Sequence, residues 1–313
     1  MSGTALSRFS GLIRDILMAT LFGTSASIAA FFVAYRLSHL FRRIFAEGGL
    51  LNGFIPFYEE KRGQSQREGD LFFKNLLHTL SIILIVLVLS SEAILAVASI
   101  WWHSKILSMT MLLLPALLFI CLYGLFSAYL QCQGRFFASG FAPVIFNATW
   151  ILGAYSFYQH ERGIFYLCLS IVLGYLLQLL FVIRSARSYL AKIPSERRPL
   201  FSKAIKEMIF PFLTATIGVS ATQINSALDT IFARIAHVEG SAYLTYAIRV
   251  EQIPLSFFAV AIAAAMLPTL SKSFAAGEQN EFKVTLNHAL SRALLFLIPS
   301  SLGILFVGAP IIN

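Results

Sequence analysis

Residues 73–101 read FKNLLHTLSIILIVLVLSSEAILAVASIW, and between Lys74 and Trp101 the single charged residue is Glu92. At a helical rise of about 1.5 Å per residue, this stretch is long enough to cross the roughly 30 Å hydrocarbon layer of a bilayer. Working outward in both directions, comparable apolar runs recur at 4–23, 27–56, 107–131, 137–157, 164–184, 205–233, 241–267 and 286–312, which makes nine candidate spans. The whole chain is 58% hydrophobic and 12% charged, where a soluble domain carries about 25% charged residues. That leaves too little polar surface for a fold that faces water. No segment shows the ten-residue alternation of an outer-membrane barrel, so strands are excluded as the spanning element. The sequence therefore predicts an all-α, polytopic membrane protein.

Loop charges set the orientation. With the N-terminus in the cytoplasm, the inner loops hold Lys61, Arg62, Arg67, Lys74, Arg135, Arg184, Arg187, Lys192, Arg197, Arg198, Lys203, Lys206, Lys272 and Lys283, and the outer loops hold Lys105, Arg162 and Arg234. Fourteen against three is the excess that cytoplasmic loops carry. The net charge of +9 is thereby explained without a nucleic-acid partner. Residues 185–204 form the longest and most basic connector, and Tyr189, Leu190 and Ile193 among its charges suit a segment lying on the cytoplasmic headgroups. Trp101 and Trp102 fit an outer aromatic belt. Cys121, Cys132 and Cys168 sit in or beside apolar runs and show neither a disulfide framework nor zinc spacing. The first apolar stretch contains Arg8, Arg14 and Asp15, which the apolar core of a cleaved leader does not tolerate.

Charges inside spans are the informative ones, because each costs a few kcal/mol near the bilayer centre unless it faces water or a partner. Arg8, Arg14, Arg36, Arg42, Arg43, Arg249 and Arg292 all fall inside predicted spans. Arg8 and Arg292 lie near cytoplasmic ends, where snorkelling explains them equally well. Arg14, Arg42, Arg43 and Arg249 lie deeper and favour an aqueous cavity over structural pairing. Neighbouring helix positions point to different sides, so an Arg14–Asp15 pairing leaves that reading standing. His39 reads either as a titrating cavity residue or as a hydrogen-bonded core histidine.

The chain also resembles itself. Asp15-Ile-Leu-Met-Ala19 matches Asp229-Thr-Ile-Phe-Ala233, Ala34-Tyr35-Arg36 matches Ala247-Ile248-Arg249, and Ile55-Pro56 matches Leu267-Pro268, at offsets of 212 to 214. Both copies begin on the same side of the membrane, which predicts parallel repeats related by an axis along the membrane normal. The expected organisation is an N-terminal lobe of six spans over 1–184, the connector 185–204, and an incomplete C-terminal lobe of three spans over 205–313.

Several motifs are specific. Ser7-Arg8, Gly11-Leu-Ile-Arg14-Asp15, Phe22-Gly23, Ala30-Phe31-Phe32-Val33-Ala34, Leu40-Phe41-Arg42-Arg43-Ile44-Phe45-Ala46-Glu47-Gly48 and Phe54-Ile55-Pro56 follow in order. Later come Gly134-Arg135-Phe136, Phe141-Ala142-Pro143, Asn147, Gln223-Ile224-Asn225 and Leu267-Pro268 through Ala275. Together they resemble the MurJ/MviN lipid II flippase family of the MOP exporter superfamily, over essentially the whole chain. Family members usually have fourteen spans, so the resemblance implies the first lobe and half of the second.

The resemblance further implies two helical bundles around a central cationic cavity. Undecaprenyl-pyrophosphate-linked peptidoglycan precursor would pass from the inner to the outer leaflet by alternating access, at the bacterial inner membrane. Family cavity arginines fall on Arg8, Arg14, Arg42 and Arg249, with Asp15, Arg43, Glu47 and His39 as gating or charge partners. The chemistry suits the substrate, because guanidinium grips a pyrophosphate bidentately and keeps its charge. Some members bind sodium in the second lobe, which points to Asp229; the membrane potential is the other driving force implied. No other cofactor is implied. Expected partners are lipid II, membrane lipids and cell-wall synthesis proteins. The chain departs from the family at His39, where Asn is common, at Ile248, where Asp is common, and at Ala29 and Ala30, near which an acid is common.

Rival readings are a flippase for another polyisoprenyl-linked glycan, a drug exporter, an inactive fragment, and a membrane enzyme. A drug exporter calls for cavity acids where this chain has arginines. The enzyme reading lacks an acid pair with metal spacing, an H-x-x-x-H motif and a nucleophile with a base, so a transporter is expected.

Overall fold

The computed structural model describes residues 2–42, 50–191, 193, 196, 199–255 and 260–312, and every regular element among them is a helix. In order these are α1 (Ser2–Phe22), α2 (Ala26–Arg42), α3 (Leu50–Gln64), α4 (Gln66–Trp101), α5 (Lys105–Leu113), α6 (Ala116–Cys132), α7 (Phe136–Phe157), α8 (Gly163–Leu190), α9 (Lys203–Ala236), α10 (Gly240–Pro254), α11 (Val260–Ala275) and α12 (Gln279–Ile312). Five stretches among the described residues are long and apolar enough to cross a bilayer: α4, α5 with α6, α7, α8 and residues 279–306 of α12. Helix α1 differs from these in carrying Arg8, Arg14 and Asp15 within its 21 residues.

One predicted single span is corrected. The sequence predicts an unbroken helix over 107–131, and the structure divides it, with Pro115 separating α5 from α6. Proline lacks the amide hydrogen that would continue the ladder, and its ring crowds the carbonyl four residues back. Leu114 accordingly closes α5 with bonds to Thr110 and Met111, and the chain restarts through Leu118 to Pro115. The predicted spans 27–56 and 241–267 include residues 43–49 and 256–259, which lie outside the described residues. Pro56, expected to end or kink its span, is interior to α3, which continues to Gln64.

The duplication read from short motifs extends to the helix boundaries. The starts of α2 and α4 and the end of α3 recur at the starts of α10 and α12 and the end of α11, displaced by 211 to 214 residues. Gly134 and Gly277 close α6 and α11 in the left-handed region, at φ 72° and 73°. After each, an amide reaches back five residues, Arg135 to Leu130 and Glu278 to Ser273, which satisfies carbonyls at the helix end.

The chain forms two compact units, Met1–Ser241 and Ala242–Asn313. In the first, α7 packs against α1 and α8; α6 against α3, α4 and α8; and α2 against α5 and α9. Phe31, Phe54, Tyr58, Phe72, Phe73, Tyr129 and Tyr175 are fully buried there. The outward apolar face is bare, with Val86, Leu89, Ile94 and Ile100 each more than 60% exposed on α4. Buried aromatic and polar groups with an apolar exterior are what a lipid solvent requires. Helices α7 and α8 approach so closely that a Cβ on Gly153 would stand 2.3 Å from the Ser170 Cβ. In the second unit α11 packs along α12.

Candidate functional site

Helix α1 turns Arg14 toward α7, and its side chain retains 12% exposure. Both Nε and Nη2 donate to Asp15 Oδ1, at 3.0 and 2.7 Å, and Nη1 donates to Asn147 Oδ1 at 3.0 Å. The long guanidinium arm folds back along the helix, so the neighbouring carboxylate is reached although the two Cβ atoms diverge. Asn147 in turn donates to the Ser7 carbonyl at 3.1 Å and to Ser10 Oγ at 2.9 Å. The guanidinium carbon lies 4.6 Å from the Trp150 ring centre and 6.0 Å from that of Phe146, a cation–π seat. Trp150 is fixed by its indole N–H on Met18 Sδ at 3.2 Å.

The same wall continues into α2 and α8. Tyr35 packs edge-on against Trp150 at 5.1 Å and stacks on His39 at 3.9 Å. His39 Nδ1 faces the Tyr35 carbonyl at 2.9 Å and Nε2 faces the Tyr175 hydroxyl at 2.9 Å. A carbonyl accepts only, so Nδ1 carries the hydrogen, and in the neutral ring Nε2 accepts from Tyr175. His39 is 9% exposed, so it is a buried, bonded residue of the wall.

The other expected residues are placed as follows. Arg8 lies earlier on α1 and is exposed. Arg42 ends α2, but its side chain lies outside the described residues, as do Arg43 and Glu47 entirely. Arg249 lies on α10, exposed, with Nη1 donating to Gln252 Oε1 at 3.3 Å. Asp229 is exposed on α9 and accepts from Asn225 Nδ2 at 3.5 Å. Among the described residues no three His, Cys, Asp or Glu side chains gather in a metal-binding group.

A polar cluster that the sequence reading passed over lies between α3, α4 and α6. Asp70, 6% exposed, accepts at Oδ1 from Tyr58 at 3.2 Å, Tyr129 at 3.1 Å and Gln66 at 3.2 Å. Gln133 donates to Tyr58 at 2.7 Å, and Arg62 donates to the Cys132 carbonyl at 2.7 Å. Arg62, counted from sequence among the inner-loop charges, ties the end of α3 to the end of α6. The available signal was an acid directly ahead of a long apolar run, with tyrosines in the flanking segments. For Asn147 it was a lone amide in an otherwise apolar span.

Comparison with known proteins follows this geometry. The family model described as Lipid II flippase MurJ matches residues 18–313. A probable lipid II flippase MurJ of Aquifex aeolicus is 32% identical over 324 residues, covering 99% of this chain and 62% of that protein. The lipid II flippase MurJ of Burkholderia cenocepacia is 28% identical, covering 98% of this chain and 63% of its own length. A probable lipid II flippase MurJ of Chlamydia trachomatis is 27% identical, over 99% and 58%. The chain thus spans about three fifths of the length of these relatives. Among solved structures, a lipid II flippase MurJ in an inward closed conformation superposes with a TM-score of 0.80 at 28% identity, over 99% of this chain and 65% of that one. An inward-facing MATE transporter of the MOP superfamily shares the fold, with a TM-score of 0.69 at 16% identity over 97% and 71%.

Proposed function

The chain belongs to the lipid II flippase MurJ family, and from that premise we propose that it takes part in moving an undecaprenyl-pyrophosphate-linked peptidoglycan precursor between leaflets. The observation that carries this reading is the Arg14 seat. A guanidinium is held mostly buried on an indole face, with its Nε–Nη2 fork on the Asp15 carboxylate. A pyrophosphate oxygen pair has the charge and spacing to take the same fork. Asp15 then acts as the exchangeable anion: it keeps the cation neutralised, and the substrate phosphate displaces it. Asn147 stays on Nη1 throughout and holds the guanidinium plane. Arg8, Arg42 and Arg249 are proposed as further phosphate contacts on the strength of the family motifs, with Arg43, Glu47 and His39 as partners.

The proposed cycle is alternating access, with the headgroup carried by protein and the polyprenyl tail left in lipid. The N-terminus is proposed to face the cytoplasm of a bacterial inner membrane, from the loop-charge excess. A net cationic site then returns inward under the membrane potential, which is worth about 2.3 kcal/mol per charge at 100 mV.

The test measures lipid II exposed on the outer face of cells depleted of their own flippase and supplied with this chain. Exposure is expected to rise, and to fall back to the depleted level with Arg14→Ala, Arg42→Ala and Arg249→Ala combined. Exposure that rises equally with the triple variant defeats the assignment.

A further inference from the structure

At the end of the first unit remote from the 185–204 connector, the close of α4, the start of α5 and the start of α8 surround a pocket of about 670 Å³. Its lining includes Trp102, His103, Ser104 and Lys105, backed by Ile100 and Phe165 and with no acidic residue among the eight that line it. Lys105 and His103 are both exposed, and Trp102 is 72% exposed. None of these residues takes part in the Arg14 or Asp70 clusters.

Two features point to one class of occupant. The polar mouth offers an ammonium, an imidazole and serine hydroxyls, a donor set suited to a phosphodiester. Ser104, which also lines the pocket, caps the start of α5 by accepting from Ile106 N at 3.3 Å. From this mouth an apolar stripe runs back along α4 through Ile100, Val97 and Ile94, which are 70%, 59% and 69% exposed. These residues lie three apart and share a helix face. A phosphate-sized polar end joined to an acyl-length apolar track has the shape of a membrane lipid, and Trp102 sits at the join, where indoles partition.

We propose that this pocket binds the headgroup of an anionic glycerophospholipid from the adjoining leaflet. Lys105 and His103 contact the phosphate, and one acyl chain lies along Ile94, Val97 and Ile100. On the orientation proposed above this is the outer leaflet. The lipid is distinct from the transported substrate, so this site stands or falls separately from the flippase reading.

The experiment uses the whole chain in a zwitterionic detergent. Phosphatidylglycerol or phosphatidylcholine with brominated acyl chains is titrated in while tryptophan fluorescence is read. Phosphatidylglycerol is expected to quench at a concentration about fivefold lower than phosphatidylcholine, the scale of one basic residue at a lipid surface. Trp102→Phe is expected to remove much of the saturable quenching. His103→Gln with Lys105→Gln should abolish the preference, whereas Lys105→Arg, and Lys283→Gln on α12 in the second unit, should keep it. Equal quenching by the two lipids, or a preference that survives the double substitution, overturns the proposal. Displacement of the lipid by millimolar inorganic phosphate alone also overturns it, because the pocket would then be a free-anion site.

Discussion

Arg14 shows how a charge can be kept inside a membrane helix. Its three side-chain hydrogen bonds end on one carboxylate oxygen and one amide oxygen, and its flat face lies over an indole. Removing Asn147 therefore tests whether the guanidinium plane matters apart from its charge. Asn147→Leu leaves Nη1 without that acceptor and releases the Ser7–Ser10 turn. Lipid II affinity of the purified chain is expected to fall about tenfold, corresponding to roughly 1.4 kcal/mol. Asn147→Asp adds a second carboxylate that competes with the phosphate. Its affinity is expected to fall as well, while its melting temperature stays at or above that of the parent. Asp70 gives a contrasting case, a carboxylate whose Oδ1 accepts from the neutral donors Tyr58, Gln66 and Tyr129. Asp70→Leu strands two tyrosine hydroxyls and an amide, and is expected to cost about 3 kcal/mol and lower the melting temperature in detergent. Asp70→Asn keeps an acceptor at the same point and should cost less than half as much. The arginine was legible from sequence because charge is conspicuous in an apolar run. Its neighbour Asp15 was legible too, but its partnership with Asn147 was not, because Asn147 is 133 residues away in the chain and nothing local marks the pair.

At the level of elements, α7 and α8 are held by proximity more than by polar bonds. Lipid chains are as apolar as the side chains, so helices in a bilayer gain from close packing and not from escaping water. Gly153 against Ser170 and Gly174 against Phe146, the latter with a Cβ contact of 3.1 Å, are where that closeness is spent. Gly153→Val forces the helices apart, because the obstructing Ser170 Cβ is fixed to its backbone. The expected cost is about 1–3 kcal/mol, read as a lower melting temperature, whereas Gly63→Val, which meets nothing within 4 Å, should be silent there. The break at Pro115 was available to a sequence reading, since the proline stands in the middle of an apolar run. The apolar count over 107–131 masked it.

For the whole molecule, the prediction concerns sidedness. With native cysteines replaced, a single cysteine at Glu161 is expected to react with an impermeant maleimide in intact cells, and one at Gln64 only after permeabilisation. The reverse pattern would invert the proposed orientation and move the lipid pocket to the inner leaflet. The amino-acid sequence by itself determined that the chain is helical and membrane-embedded, that its start is repeated some 213 residues later, and which family it resembles. Those properties follow from composition, run length and local motifs, which are properties of neighbouring residues. The tertiary structure alone decided that Arg14 is clamped by Asp15 and Asn147, that His39 is bonded within a wall of tyrosines, and that Asp70 gathers α3, α4 and α6. The physical reason is that a polar group in lipid must find its partner by packing, and packing joins residues whose separation along the chain carries no local signature.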